Sequence, residues 1–164
     1  MPDRLLVSDA NILIDIEVGR LTDAMFQLPY EFGTPNILYE QELALHHPEL
    51  PQKGLQLLEL EPTSIQRMST LGQRYTGVSS YDLAALSLAQ QVNAPLLTGD
   101  GKLRQVCLEE SIDVHGTVWL VGETLIAKII TVEQARAAYQ LMEDDGSRLP
   151  WDDVEKQLRR FGKK

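Results

Sequence analysis

The sequence predicts an α/β fold with a mainly parallel sheet, followed by a helical C-terminal segment. Three observations carry that expectation. Short, wholly apolar runs such as Leu5-Leu6-Val7 and Leu96-Leu97 suit strands buried on both faces. Segments of helical spacing separate these runs, the alternation expected of βαβ units. After Gly116 the strand signals stop, and only helical patterns continue to Lys164.

Each element follows from local chemistry. Leu5-Leu6-Val7 forms a first strand; Ser8-Asp9-Ala10-Asn11 follows it, then the apolar-rich stretch from Ile12 to Ile16, broken at Gly19. Leu21, Met25 and Leu28 have helical spacing until Pro29 ends the run, and Tyr30 to Thr34 reads as a second strand. Pro35 suits a first helical turn with Thr34 as its cap, opening a helix that carries Ile37, Leu38, Ala44 and Leu45 and stops before Pro48. Leu55 to Leu60 suits another strand, and Thr63 to Tyr75 a helix with Ile65, Met68 and Leu71 on one side. Ser79 to Val92 is the clearest helix, with Leu83, Leu86, Ala89 and Val92 on a broad apolar face. Ala94 to Thr98 is a strand, Gly99-Asp100-Gly101 a turn, Lys102 to Glu110 a helix and Ile112 to His115 a short strand. Beyond these, Thr131 and Gln134 have the spacing of a capping box, Asp144-Asp145-Gly146 is a turn, and Pro150 opens a helix ending in Arg159-Arg160.

Composition narrows the function. At 164 residues, 43% apolar and 24% charged, the chain is one globular domain with room for a small appendage, which excludes a disordered or collagen-like chain. It carries 24 acids against 15 bases, a net charge of −9. A nucleic-acid binder that works by bulk electrostatics is normally basic, so contact with nucleic acid here calls for a bridging metal ion. The one cysteine, Cys107, excludes an intramolecular disulfide and a Cys-rich zinc site, suits a cytoplasmic, reducing compartment, and reads as an inert core thiol. The apolar run near the N-terminus is too short for a signal peptide, and no run approaches the ~18 apolar residues of a membrane span. No membrane association is expected.

In parallel sheets, ligands bind beyond the carboxyl ends of the strands. Asp9 follows the first strand directly, and Asp100 follows the strand Leu96-Leu97-Thr98. Asp82 lies in the first turn of the helix before that strand, and Glu40 and Glu42 lie on the helix after the second strand. Several carboxylates in one crevice repel one another unless a divalent cation neutralises them. Oxygen-only ligands with no Cys or His nearby favour Mg²⁺ or Mn²⁺ over Zn²⁺. Such an ion activates water and stabilises charge at phosphorus, so the chemistry implied is phosphodiester or phosphate-ester hydrolysis. Each acid also has a local role open to it: Asp9 as an N-cap, Asp82 as the capping-box partner of Ser79, Asp100 as a turn residue, Glu40 and Glu42 as solvated surface. Their joint placement at one sheet edge is what favours a site.

These pieces resemble the PIN-domain family of metal-dependent ribonucleases. The matching segments are Ser8-Asp9-Ala10-Asn11-Ile12-Leu13-Ile14-Asp15, Leu38-Tyr39-Glu40-Gln41-Glu42-Leu43-Ala44-Leu45, Ser80 to Ala89 around Asp82, and Leu96-Leu97-Thr98-Gly99-Asp100-Gly101-Lys102-Leu103. They occur in the family's order and spacing over residues 4 to about 120, and look most like its VapC toxin branch. The resemblance implies a three-layer α/β/α domain over residues 1–120 and a helical extension, 121–164, packed on it. It implies an endoribonuclease with catalytic acids Asp9, Glu42, Asp82 and Asp100, of which Asp9, Asp82 and Asp100 bind Mg²⁺ or Mn²⁺. Asn11, Glu40 and Thr98 would support the site. Glu42-Leu43 matches the family's Glu-Leu pattern; Glu40 lies about 200° away on a helix, so one of the two faces inward. Asp15 reads as a group behind the site or at the surface. Where some members carry a further acid after the last Asp, Lys102 and Arg104 stand here, so a second metal would bind weakly or only with substrate; both bases suit flanking phosphates or an exposed helical turn.

The partners so implied are an RNA substrate, a second copy in a homodimer and, for a toxin, an antitoxin whose segment folds over the acidic pocket. The basic tail, Lys156, Arg159, Arg160, Lys163 and Lys164, suits either RNA contact or a solvated helix end. Trp119 reads as core, Trp151 as a packing anchor, and His46 and His47 as surface groups at a helix end. The alternatives are a non-catalytic interaction module on the same fold and an RNA-processing nuclease without a toxin role. A receiver domain wants paired acids after the first strand, and a haloacid-type phosphatase an Asp-x-Asp, but Ser8 precedes Asp9 and Asn11 follows. A dinucleotide fold lacks its glycine-rich first turn.

Overall fold

Residues 4–162 are described in the structure, a computed structural model. Five strands form one sheet in the order β3-β2-β1-β4-β5, every pairing parallel. They are β1 (Arg4–Ser8), β2 (Tyr30–Pro35), β3 (Gln56–Leu58), β4 (Leu96–Leu97) and β5 (Val114–His115). The helices are α1 (Ala10–Val18), α2 (Thr22–Met25), α3 (Asn36–Leu38, continued by a π-turn over Tyr39–Leu43), α4 (Leu50–Lys53), α5 (Pro62–Arg74), α6 (Ser80–Val92), α7 (Gly101–Glu109), α8 (Thr117–Ile126), α9 (Val132–Asp144) and α10 (Trp151–Gly162). This is the expected three-layer α/β/α arrangement. From β1 the chain moves outward to β2 and β3, then returns to add β4 and β5 on the other side. The direction therefore reverses between β1 and β4, and a crevice opens beyond their carboxyl ends.

The wholly apolar runs became the middle of the sheet because both faces are covered. Leu6, Val7, Phe32, Leu96 and Leu97 are inaccessible to solvent. On one side α6 packs across β1, β2 and β4, with α5 against it. The start of α5 is tied to the end of α6, since Glu61 N and Ser64 Oγ both donate to Gln91 Oε1, at 2.9 and 2.7 Å. Against the opposite side stand α1, α2, α8 and α9, which pack on one another. A single buried cluster runs from Leu6 through Leu158, so the C-terminal helices share the core of the rest. Burying one such leucine contributes ~1.5–3 kcal/mol.

Several local expectations are corrected. The stretch from Leu21 to Leu28 yields only the single turn of α2, because the chain closes into tight turns before Pro29. Gln27 N donates to Ala24 O and Leu28 N to Met25 O, both at 3.1 Å. Thr34 does not cap a helix: it lies inside β2, where its hydroxyl donates to Ser8 O at 2.9 Å. The helix after β2 opens into a π-turn, with Ala44 N donating to Tyr39 O at 2.8 Å. Across this segment Leu38, Tyr39 and Leu43 are buried while Ile37 and Leu45 face solvent, Leu45 at 84% exposure. Trp119 is half-buried rather than core; its ring stacks on His115, centroids 4.0 Å apart. His46 is exposed as expected, but His47 is partly buried, its Nδ1 2.8 Å from Glu17 Oε1. Thr131 and Gln134 do form their capping box, and Cys107 is fully buried, its thiol pushed up to about 12 by desolvation. Of the basic tail, Lys163 and Lys164 lie outside the described residues.

Candidate active site

The sheet ladder reaches up to the crevice. Asp9 N donates to Leu97 O and Thr98 N to His115 O, at 3.0 and 2.9 Å, which sets Asp9 beside Thr98. Asp9 is only 3% exposed. It caps α1, its Oδ1 accepting from Ile12 N at 3.0 Å, while its Oδ2 accepts from the Thr98 hydroxyl. The same hydroxyl accepts from Asp100 N at 3.1 Å. Thr98, itself fully buried, thus links the ends of β1 and β4.

Asp82 and Asp100 are caps as well. Asp82 Oδ2 accepts from Ser79 N at 3.3 Å, and Ser79 Oγ accepts from Asp82 N at 3.0 Å. Asp100 Oδ1 accepts from Lys102 N at 2.9 Å and Leu103 N at 3.4 Å. Each cap engages one carboxylate oxygen. Among the described residues, Asp82 Oδ1 and Asp100 Oδ2 accept no hydrogen bond. The capping roles and a shared crevice are therefore compatible.

Their charges feel one another. Burial chiefly raises the Asp9 carboxyl, which reaches about 6; the bonds from Thr98 and Ile12 oppose this, and the charges of Asp82 and Asp100 add to it. Asp82 is raised by burial and, in part, by Asp100. Glu42 is raised by partial burial and by Asp82. So Asp9, Asp82, Asp100 and Glu42 form one connected electrostatic group. Glu40 and Glu42 are both exposed on the π-turn.

The supporting positions divide. Asn11 is exposed and lines a cleft of about 490 Å³ together with Asp15, Asp100 and Arg148. Asp15 is half-buried and binds the C-terminal segment, accepting from Ser147 Oγ at 2.9 Å and from Thr117 Oγ1 at 3.5 Å. Lys102 is exposed and its ammonium lies over Gly77, a residue at φ +79°. Arg104 is partly buried, with Nη1 donating to Thr98 O at 3.3 Å.

A second constellation escaped the sequence reading. One ligating atom each from Glu17, His47 and Glu49 lie within 4.8 Å of one another. Among the described residues no other group of His, Cys, Asp and Glu is gathered so closely, and the crevice acids are spread more widely. Also missed were His115, Trp119 and Arg148, which line a separate cleft of about 510 Å³; of the three, Arg148 also lines the cleft that holds Asp100. No motif spacing marks any of these, because they meet only through the fold.

Fold and crevice together define a PIN-type α/β domain. The sequence profile of the PIN domain family matches residues 5–163, and the chain belongs to this family, whose members are typically nucleases and commonly use divalent metals. No curated protein matches the chain. Among solved structures it is similar to a PilT N-terminus domain protein from the hyperthermophilic archaeon Sulfolobus solfataricus P2. That match has a TM-score of 0.52 and 14% identity over 74% of this chain and 93% of the other, a likeness of fold.

Proposed function

We propose that the protein is a metal-dependent endoribonuclease that hydrolyses RNA phosphodiesters. One observation carries this reading: a buried carboxylate, Asp9, sits under the charge of Asp82 and Asp100 at the switch point of the sheet. No lysine or arginine forms an ion pair with any of these acids among the described residues. Unneutralised acids that share one field suit a divalent cation, and their all-oxygen donor set fits Mg²⁺ or Mn²⁺.

Asp9, Asp82 and Asp100 would hold the ion, which when bound supplies a water of lowered pKa and a counter-charge for phosphoryl oxygens. Thr98 fixes the Asp9 carboxylate and the Asp100 backbone in one frame. Glu42, on the rim, has a raised carboxyl suited to accepting a proton from attacking water. Lys102 and Arg104 would meet phosphates on either side of the cut.

Residues 1–120 would form the nuclease domain and 121–164 its helical extension, with α8 running across that division. On the likeness of the four motifs we extend the reading to a VapC-like toxin that dimerises and is silenced by an antitoxin. A cytoplasmic location agrees with the lone buried thiol and with the absence, among the described residues, of any helix long and apolar enough to cross a membrane.

The deciding experiment is cleavage of a mixed RNA panel with Mg²⁺, Mn²⁺ or chelator, by wild type, Asp9→Asn and Asp82→Asn. Metal-dependent cutting lost in both variants establishes the nuclease. No cutting and no metal binding by titration would leave a non-catalytic interaction module.

A further inference from the structure

Asp9 and Glu17 sit at opposite ends of α1: Asp9 caps its start, and Glu17 lies in its last turn. A helical rise of ~12 Å separates the two positions. What Glu17 meets at its end is the chain beyond the π-turn. One ligating atom each from Glu17, His47 and Glu49 lies within 4.8 Å of the other two, and all three residues are partly buried. Glu49 stands at the N-cap position of α4.

Backbone bonds set this frame. Arg20 N donates to Glu17 O at 2.9 Å, closing the end of α1. His47 N donates to Leu43 O at 2.7 Å, and the Tyr39 hydroxyl donates to His47 O at 2.9 Å. Lys53 N donates to Glu49 O at 3.1 Å. None of these bonds uses a side-chain atom of Glu17, His47 or Glu49, so the frame does not depend on the groups it presents.

Those side chains are short of partners. Glu17 Oε2 and His47 Nδ1 are both sealed from solvent, and among the described residues neither has a hydrogen-bond partner. His47 Nδ1 lies 2.8 Å from Glu17 Oε1, but the contact lacks the alignment of a hydrogen bond. Among the described residues no lysine or arginine pairs with Glu17 or Glu49. Lys53, on α4, is bonded to Asp23 instead, at 2.6 Å. Two carboxylates and an imidazole nitrogen thus lie together with no lysine or arginine paired to them. Buried polar atoms without a partner call for an ion or a water, and neighbouring carboxylates repel unless a cation joins them.

We propose that Glu17, His47 and Glu49 bind one Zn²⁺ ion, at a site separate from the acidic crevice. The inference does not rest on the nuclease reading. An imidazole nitrogen with two carboxylate oxygens suits Zn²⁺, which accepts both donor types, and a three-ligand site leaves one tetrahedral position to water. Mg²⁺ prefers an octahedral shell of oxygens and gains little from a histidine. Mn²⁺ stands below Zn²⁺ in affinity for such a donor set. The ion clamps the end of α1 to the segment that joins the π-turn to α4. Asp9 caps that same helix and Glu42 lies on that same π-turn, so the clamp fixes the spacing of two elements that frame the crevice.

The test is calorimetric titration of the full chain with ZnCl₂, after treatment with chelator and its removal. Wild type should bind one Zn²⁺, and excess Mg²⁺ should not displace it. Asp9→Asn should bind equally, and so should His46→Ala, at the exposed neighbour of His47. His47→Ala and Glu49→Gln should each weaken binding by more than the ~10–100-fold that loss of an outer group costs. Co²⁺ in place of zinc should give a visible absorption band in wild type and Asp9→Asn that His47→Ala lacks. Zinc should raise the melting temperature of Asp9→Asn and leave that of Glu49→Gln unchanged. Circular dichroism reports folding, and Glu49→Gln and Glu17→Gln, which keep side-chain size, decide the matter if His47→Ala does not fold. Zinc binding lost in Asp9→Asn but kept in His47→Ala places the ion in the crevice and overturns the inference. Unchanged binding in folded Glu49→Gln and Glu17→Gln overturns it too. No binding by wild type leaves Glu17 and His47 a plain ion pair and ends the proposal.

Discussion

The Thr98 hydroxyl donates to Asp9 Oδ2 and accepts from Asp100 N, so one buried side chain couples the carboxyl ends of β1 and β4. Thr98→Val keeps the volume but removes both bonds. It should raise the Asp9 carboxyl further, because the Thr98 bond is the largest influence holding it down. Groups that orient metal ligands typically contribute 10–100-fold to activity, and a loss of that size is expected here. Thr98→Ser should restore most of it. Activity in Thr98→Val equal to wild type would remove Thr98 from the site.

The metal-free protein should lose stability as pH rises through the raised Asp9 value. Asp9 titrates at about 6 in the folded chain against an ordinary 3.8. The folded state therefore binds the proton more tightly than the unfolded one, and the stabilisation is fully present below pH 4 and gone above pH 6. The difference corresponds to about 3 kcal/mol. Asp82, Glu42 and Asp15 are raised as well and act with the same sign. Melting curves from pH 4 to 7, in chelator, should show this decline, and Asp9→Asn should flatten it.

Added Mn²⁺ should reverse that penalty at pH 7. A ligand that binds only the folded state stabilises it by mass action, by ~2.7 kcal/mol at a hundredfold excess over Kd. Wild type should melt higher with Mn²⁺ than with chelator, and Asp9→Asn should show little change. An equal shift in both proteins would place the metal elsewhere, with Glu17, His47 and Glu49 the next set to substitute.

Glu40 and Glu42 should separate cleanly. The Glu42 carboxyl is raised by burial and by the charge of Asp82. Glu42→Gln should slow cleavage by ~10²-fold or more, the usual scale for a general base, while folding normally. Glu40→Gln should cut at the wild-type rate. The reverse pattern would mean that the π-turn presents the other face to substrate.

Gly77 has φ +79°, and a Cβ there would collide with the Lys102 ammonium. Gly77→Ala should destabilise the fold by ~1 kcal/mol or more, since alanine adopts positive φ only with strain. Denaturant midpoints would measure the loss. The Lys102 side chain is flexible and can move aside, so the backbone conformation decides the result.

The strands and long helices were legible because their signals are local. Leu5-Leu6-Val7 and Leu96-Leu97 are apolar without interruption, and Ser79 with Asp82 writes its own capping box. Asp9 and Asp100 were legible for a related reason: each lies in the short link between a strand and the helix it caps. The π-turn at Tyr39–Leu43 was not legible, since one shifted hydrogen bond leaves no residue signature. Leu45, expected on the apolar side of that helix, lies exposed in the turn that follows it.

Sequence alone determined the parallel α/β class, the C-terminal helices and the acids at the strand ends, because chain neighbours establish each of these through periodicity and capping. Tertiary structure decided which groups meet. Only the β1–β4 pairing brings Thr98 to Asp9, and only the packing of the C-terminal segment brings Ser147 to Asp15 and Arg148 to Gly99. The Glu17–His47 contact depends likewise on α1 meeting the segment after the π-turn. Such encounters depend on the summed burial of the whole core rather than on any local pattern, so no spacing in the chain announces them.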